Sequence, residues 1–320
     1  MKNIDVLTFG EAMAMFIADE IGELHKISHF TRSLAGAETN VAIGLARLNY
    51  KVSWLSKVGN DPFGQYVLEA LQHEKVDTSV VGIDNHHATG FQLKSKVTEG
   101  DPSVHYFRKN SAASTLSIED FKNVEVGDAK HLHMTGIPPA LSNATREFAH
   151  FMMDTMKKHR KTVSFDPNLR PNLWGSEEEM VDEINKLAFK ADWVLPGISE
   201  GEILTGYKMP EDIADLYLDK GVKLVVIKLG TKGAYLKTSD GISEHVPGFD
   251  VKEVVDTVGA GDGFAVGVIS GLLDGLTVPE SVKRGNAIGA LQVQSPGDSD
   301  GLPNREKLGD FMSKGECLRR

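Results

Sequence analysis

Residues 256–267, DTVGAGDGFAVG, set one carboxylate, Asp262, among Gly259, Gly261 and Gly263, directly before an apolar run. Glycines at 259 and 261 let the backbone come close to a ligand and take φ values closed to other residues. Phe264, Val268 and Leu272 recur at four-residue spacing, and Gly275 stands where a helix would end, so the glycines open a helix. The first amides of a helix lack partners within it and attract negative charge. The turn reads as an anion hole for a phosphoryl group in transfer. A carboxylate beside such a group repels it unless it faces the incoming hydroxyl and takes its proton, so Asp262 reads as a general base. Two other phosphate motifs fail. No glycine is followed by lysine, which excludes a P-loop, and Phe264 stands where the third glycine of a dinucleotide fingerprint belongs.

Two arginines are the next candidates. Tyr106 and Arg108, in VHYFRKNSA (104–112), alternate at period two and share one strand face. Arg170, in SFDPNLRPNLW (164–174), follows a strand end, where open α/β sheets build their sites. Arginine offers a carboxylate two parallel charge-assisted hydrogen bonds. Taken singly, Arg170 could cap a turn and Arg108 could pair with a surface acid. HLH (131–133) offers alternating histidines without a third ligand and reads as a structural strand rather than a zinc site.

The elements that must position these residues alternate. Apolar runs at 4–10, 51–59, 130–137, 161–167, 191–197, 223–230 and 233–238 read as strands, and 39–49, 63–74, 143–159 and 177–189 as helices. Strand–helix alternation predicts an α/β fold: a mostly parallel central sheet with helices on both faces, in three layers, over one domain spanning 1–320. Residues 12–35, without a helix, and 89–110, a hairpin around TEGDPS, break the pattern. They read as strands of a small second sheet, a lid.

DTVGAGDGF resembles the C-terminal signature of the ribokinase-like, or PfkB, carbohydrate kinases. LAGAETNVAIGLARL (34–48), WLSKVGNDPFGQYVLEAL (54–71) and VIKLGTKGAYL (226–236) resemble the segments that accompany it, over essentially the whole chain. The resemblance implies a ribokinase-like fold and ATP-dependent phosphorylation with Mg²⁺. It implies Asp262 as catalytic base and Gly259, Ala260 and Gly261 as the anion hole, with Asp256 and Thr257 shaping the approach to the phosphates. It implies a nucleotide loop with Lys228, Gly230, Thr231 and Gly233, Asn286 at the adenine end, and Asn168 near the phosphates. Relatives acting on neutral sugars carry G-E-x-x-x-D in the first strand; here GEAMAM (10–15) has Met15 in the aspartate's place. Two arginines with no facing aspartate suit an anionic substrate. GAETN, YFR, DPNLRPNLW and GDSDGLP together resemble the family's branch acting on 2-keto-3-deoxygluconate. That branch implies sugar-acid contacts from Gly36, Ala37, Glu38, Thr39, Asn40, Gln92, Tyr106, Phe107, Arg108, Arg170, Asp262 and Asp298. A fructokinase or another PfkB-type sugar kinase, and a catalytically idle sugar-acid sensor, remain the alternatives. In LPGISEGE (195–202) Gly197 replaces the family's usual asparagine, while Glu200 keeps the acid expected to organise magnesium through water.

Composition bounds the partners. A net charge of −10 argues against nucleic acid as the main partner. Cys317 is the single cysteine, so no disulfide forms within the chain, in keeping with a reducing compartment. No run reaches the apolar length of a membrane span, and the N-terminus reads as a strand rather than a signal peptide. The expectation is a cytoplasmic enzyme whose small molecules are a sugar acid and ATP, assembled as a homo-oligomer through the lid sheet.

Overall fold

Leu224–Lys228 shows in five residues how the main sheet is built: Leu224 and Val226 face one apolar core, Val225 and Ile227 the other. Strands buried on both faces need apolar residues at every position, which is why these segments read as continuous apolar runs. The computed structural model describes residues 3–98, 102–122 and 129–317. Its main sheet runs, from edge to edge, Ser243–Val246, Ala234–Thr238, Leu224–Lys228, Trp193–Val194, Thr162–Asp166, His131–Thr135, Val6–Phe9 and Val52–Leu55. Neighbours from Leu224–Lys228 to Val52–Leu55 are parallel, and the first two strands form an antiparallel edge. Helices Asn143–Lys158, Glu177–Ala188 and Pro210–Asp219 cover one face; Ala37–Arg47, Pro62–His73, Ala260–Leu273 and Val278–Gln292 cover the other. The expected three layers are present. Pro210–Asp219, the helix Ile198–Thr205 and the edge strand Ser243–Val246 are additions to the sequence reading.

The second sheet lies where the pattern broke, in the order Phe30–Ala35, Met13–Ile21, Phe91–Lys96, Val104–Phe107. The hairpin arms Phe91–Lys96 and Val104–Phe107 pair antiparallel, while residues 99–101 of the TEGDPS turn lie outside the described residues. A short 3₁₀ turn, Leu24–Lys26, interrupts a stretch expected to hold no helix. Register sets what this sheet offers each side. Met15, Gln92 and Tyr106 are neighbours across three strands, and Lys94 lies one pleat along from Gln92, beside Val104. Phe91 and Phe107 point the opposite way, where their rings stack at 4.5 Å beside Phe16 and Phe63.

Candidate active site

Gly259 adopts φ +77° and caps the helix Ala260–Leu273, placing Asp262 in its first turn. A side chain at 259 would both strain that φ and bring Cβ within 2.1 Å of the Asp298 carbonyl oxygen. The Ala260 amide turns back onto the Thr257 carbonyl at 3.3 Å. Asp262 is buried. One carboxylate oxygen accepts from Asn40 Nδ2 at 2.8 Å and the other from Asn168 Nδ2 at 3.5 Å. Burial raises its pKa, against the Asn40 hydrogen bond and the charges of Arg170 and Lys228.

Asp262 stands on the wall of a cavity of about 290 Å³. Gly36, Ala37, Asn40, Gln92, Tyr106, Arg108, Asn168, Arg170, Gly259 and Asp298 share that wall. The main sheet contributes through the loop after Thr162–Asp166, the second sheet through Gln92 and Tyr106, and the helix Ala37–Arg47 through Asn40. Segments far apart in sequence thus converge over the end of the parallel strands, the position expected for a site in such a sheet.

Four expectations need correction. Phe107 faces away from the cavity, as strand alternation requires once Tyr106 faces in, and stacks on Phe91 instead. Glu38 and Thr39 turn into the protein. Glu38 accepts from the Thr135 hydroxyl, burial pushing its carboxyl up to about 7, and Thr39 donates to the Gly36 carbonyl at 2.9 Å. Arg108 does have a facing acid: buried Glu11 accepts a hydrogen bond from its Nε at 2.6 Å, lies 2.6 Å from its Nη2 as an ion pair, and accepts from the Ser111 hydroxyl. Glu11, the glutamate of GEAMAM, thus serves as the counter-ion of Arg108, while Met15 leaves its own position apolar. Arg170 makes no ion pair with a described residue; its Nη1 donates to the Leu169 and Asn168 carbonyls at 2.9 and 3.4 Å. Its side chain thus holds carbonyls of its own turn, and it also lines the cavity.

Lys94 went unnoticed in the sequence. Its buried ammonium lies 2.5 Å from Asp256 and 3.8 Å from Asp298. The signal was available: two residues past Gln92 in FQLKSK, it must share Gln92's face.

On the other side of the Gly259–Asp262 turn, Lys228 ends its strand. Its Nζ donates to Asp166 at 2.6 Å and lies near Gly261. Burial works against its charge, but the carboxylates of Asp166, Glu200 and Asp262 outweigh that and raise its pKa. Gly230 and Thr231 form a 3₁₀ turn closed by Gly233 at φ +93°. A Cβ on Gly233 would collide with the Val246 carbonyl at 2.1 Å. Asn286 Nδ2 donates to the Val246 and Pro247 carbonyls at 3.1 Å each. Gly233 and Asn286 therefore meet at one strand end, held close by backbone. Glu200 is a capping residue here: its two oxygens accept the amides of Gly197 at 2.7 Å and Leu169 at 2.8 Å. His131 and His133 are buried in the sheet, hydrogen-bonded to Ser164 and, for His131, to Thr162.

The family model for pfkB family carbohydrate kinase matches residues 3–305. The chain is 58% identical over 312 residues to a 2-dehydro-3-deoxygluconokinase of Bacillus subtilis (strain 168), covering 97% of this chain and 96% of that one. A crystal structure of a PfkB protein from Polaromonas sp. JS666 superposes with TM-score 0.88 at 52% identity, covering 96% of this chain and 99% of the other. A structure from E. coli described as a ribokinase II, in complex with ATP and Mg²⁺, superposes with TM-score 0.90 at 26% identity, covering 97% and 99%.

Proposed function

The chain belongs to the pfkB family of carbohydrate kinases, and from that premise we propose that it transfers a phosphoryl group from ATP to the C6 hydroxyl of 2-keto-3-deoxygluconate, giving 2-keto-3-deoxy-6-phosphogluconate. One observation carries the proposal: a single cavity holds a buried carboxylate at a helix start and, in Arg170, a guanidinium without an acidic partner among the described residues. The first suits an alcohol that must lose a proton, the second a carboxylate at the other end of the substrate. The 58% identity to a 2-dehydro-3-deoxygluconokinase supports the same substrate.

Asp262 accepts the hydroxyl proton in this scheme, a contribution of about 10²–10⁴-fold in rate. Asn40 and Asn168 orient its two oxygens. The amides of Gly261 and Asp262 meet the charge that develops on the transferred group, aided by the helix dipole. Gln92, Tyr106 and Asp298 are read as partners for the substrate's hydroxyl and keto oxygens. Lys228, Gly230, Thr231 and Gly233 serve the nucleotide, and Asn286 shapes the shelf for its base by fixing the backbone at 246–247. Mg²⁺ is a hard cation that would take oxygen donors here and would supply positive charge to offset the phosphates during transfer. Glu200 and Asp166 offer hard oxygens beside the turn, and with both Glu200 oxygens already accepting amides, contact through water suits it.

The second sheet is read as a lid and as an oligomer contact. On the face away from the cavity, Phe107 has half of its surface in water. No described helix is long and apolar enough to cross a membrane, and a cytoplasmic location is in keeping with the single cysteine. The test is a coupled ADP-release assay across 2-keto-3-deoxygluconate, gluconate, fructose and ribose, with Asp262→Asn alongside. The keto-acid should lead in kcat/KM, and the variant should lose about 10²–10⁴-fold in kcat while keeping its fold. Preference for fructose, or undiminished turnover by Asp262→Asn, overturns the proposal.

A further inference from the structure

We infer that Lys94 is a positioning residue that ties the lid strand to the turn before the catalytic helix and holds Asp298 at the cavity wall as an acceptor for the substrate; this rests on the function proposed above. Three connections support it. Lys94 sits on Phe91–Lys96, and its Nζ reaches Asp256 Oδ2 at 2.5 Å across 162 residues of sequence. The other oxygen of Asp256 accepts the Val258 amide at 3.0 Å, which shapes the turn entering Gly259. Asp298, the third member, faces the same ammonium at 3.8 Å, and its carbonyl packs where a Gly259 Cβ would stand. One ammonium therefore touches the lid, the anion turn and the loop that closes the cavity, while its own side chain is 5% exposed.

Asp298 lines the cavity, and its Oδ1, the oxygen 3.8 Å from Lys94, is buried without a hydrogen-bond partner among the described residues. A buried lone pair of that kind costs free energy until a donor arrives, which suits a substrate hydroxyl. The charged groups facing Asp298 are Lys94 from the lid, Asp256 and Asp262 from the turn and helix, and Asp300 from its own loop. Arg47 reaches this loop through the Ser299 and Leu302 carbonyls. Burial pushes the Asp298 carboxyl up to about 7, and the three acids add to this while Lys94 opposes them. Without Lys94 the group holds its proton to higher pH, and a protonated Asp298 offers the substrate hydroxyl a weaker acceptor.

The experiment compares Lys94→Met, which keeps the stem, with Lys94→Arg, which keeps the charge. Lys94→Met should lower kcat/KM for the keto-acid about 10- to 100-fold, leave KM for ATP within about twofold, and move the acid limb of the keto-acid profile to higher pH. Lys94→Arg should restore both. An unmoved limb, or a loss shared equally by both substrates, overturns the inference. Carboxyl ¹³C NMR of the ligand-free protein, with Asp298→Asn for assignment, follows the Asp298 titration without any substrate. It should move to higher pH in Lys94→Met and return in Lys94→Arg; no shift between wild type and Lys94→Met refutes the coupling. If Lys94→Met does not fold, Lys94→Gln replaces it. Failure of the wild type to phosphorylate the keto-acid sinks the proposed function instead, and the NMR result still judges Lys94.

Discussion

Arg108 and Arg170 look equivalent as carboxylate ligands, yet the structure separates what their removal costs. Arg108 is 8% exposed and forms an ion pair with Glu11, which is 0% exposed, with a hydrogen bond from its Nε. Truncating Arg108 to alanine leaves Glu11 buried with only the Ser111 hydroxyl. Removing one partner of such a pair costs about 3–5 kcal/mol. At ~2 °C per kcal/mol for a chain of this size, Tm should fall by roughly 6–10 °C. Arg170 gives hydrogen bonds only to the carbonyls of its own turn, so Arg170→Ala should cost no more than about 1 kcal/mol of stability. Its loss should appear in binding: a charge-assisted hydrogen bond to the substrate carboxylate is worth about 1.5–3 kcal/mol, or roughly 10- to 150-fold in KM for the acid, with KM for ATP little changed. Glu11→Gln in the Arg108→Ala background should recover part of the lost Tm by removing the stranded charge. Differential scanning calorimetry and two-substrate steady-state kinetics measure both axes. An Arg108→Ala protein as stable as wild type refutes the buried-pair account. An Arg170→Ala protein whose KM rises equally for both substrates refutes direct carboxylate contact.

Gly259→Ala and Gly275→Ala form a matched pair, because both residues have φ near +80° but only a Cβ at 259 meets backbone; both should lose about 1 kcal/mol of stability from the strained φ, and only Gly259→Ala should lose a further, larger part of kcat. Asp262 works as a base only when ionised, and burial raises its pKa, so kcat should fall as pH drops through a value above the ordinary carboxylate range. Asn40→Ala, which removes a hydrogen bond that favours the ionised form, should move that limb to still higher pH; a limb that stays put counts against Asp262 as the base. Phe107→Ser, at an exposed ring stacked on Phe91, should reduce the mass measured by light scattering while sparing turnover per subunit, and a monomeric wild type would remove the lid contact.

The parts of this site that could be read from the sequence are those whose physics is local. A glycine-opened helix start, a run of apolar strand residues and the two-residue alternation of Tyr106 and Arg108 each depend on a few neighbouring residues. Phe107 was misassigned because a motif travels as a block, whereas a strand sends its neighbours to opposite faces. Glu200 stands at the acid of the family's N-x-x-E pattern, and its spacing also makes it the third residue of a helix start, where glutamate caps. The ion pairs were illegible for another reason. Glu11–Arg108, Lys94–Asp256 and Asp166–Lys228 join residues 97, 162 and 62 apart, and no periodicity links such positions. Burying charges is costly, so pairs like these contribute little to net stability. What they do is hold each charge at a defined point on the cavity wall. With Arg108, Lys94 and Lys228 thus engaged, Arg170 is left as the cavity cation without an acidic partner among the described residues. Under the function proposed above, the substrate's own carboxylate would be the partner of Arg170, with Asp262 and Asp298 on the same wall left to meet its hydroxyls.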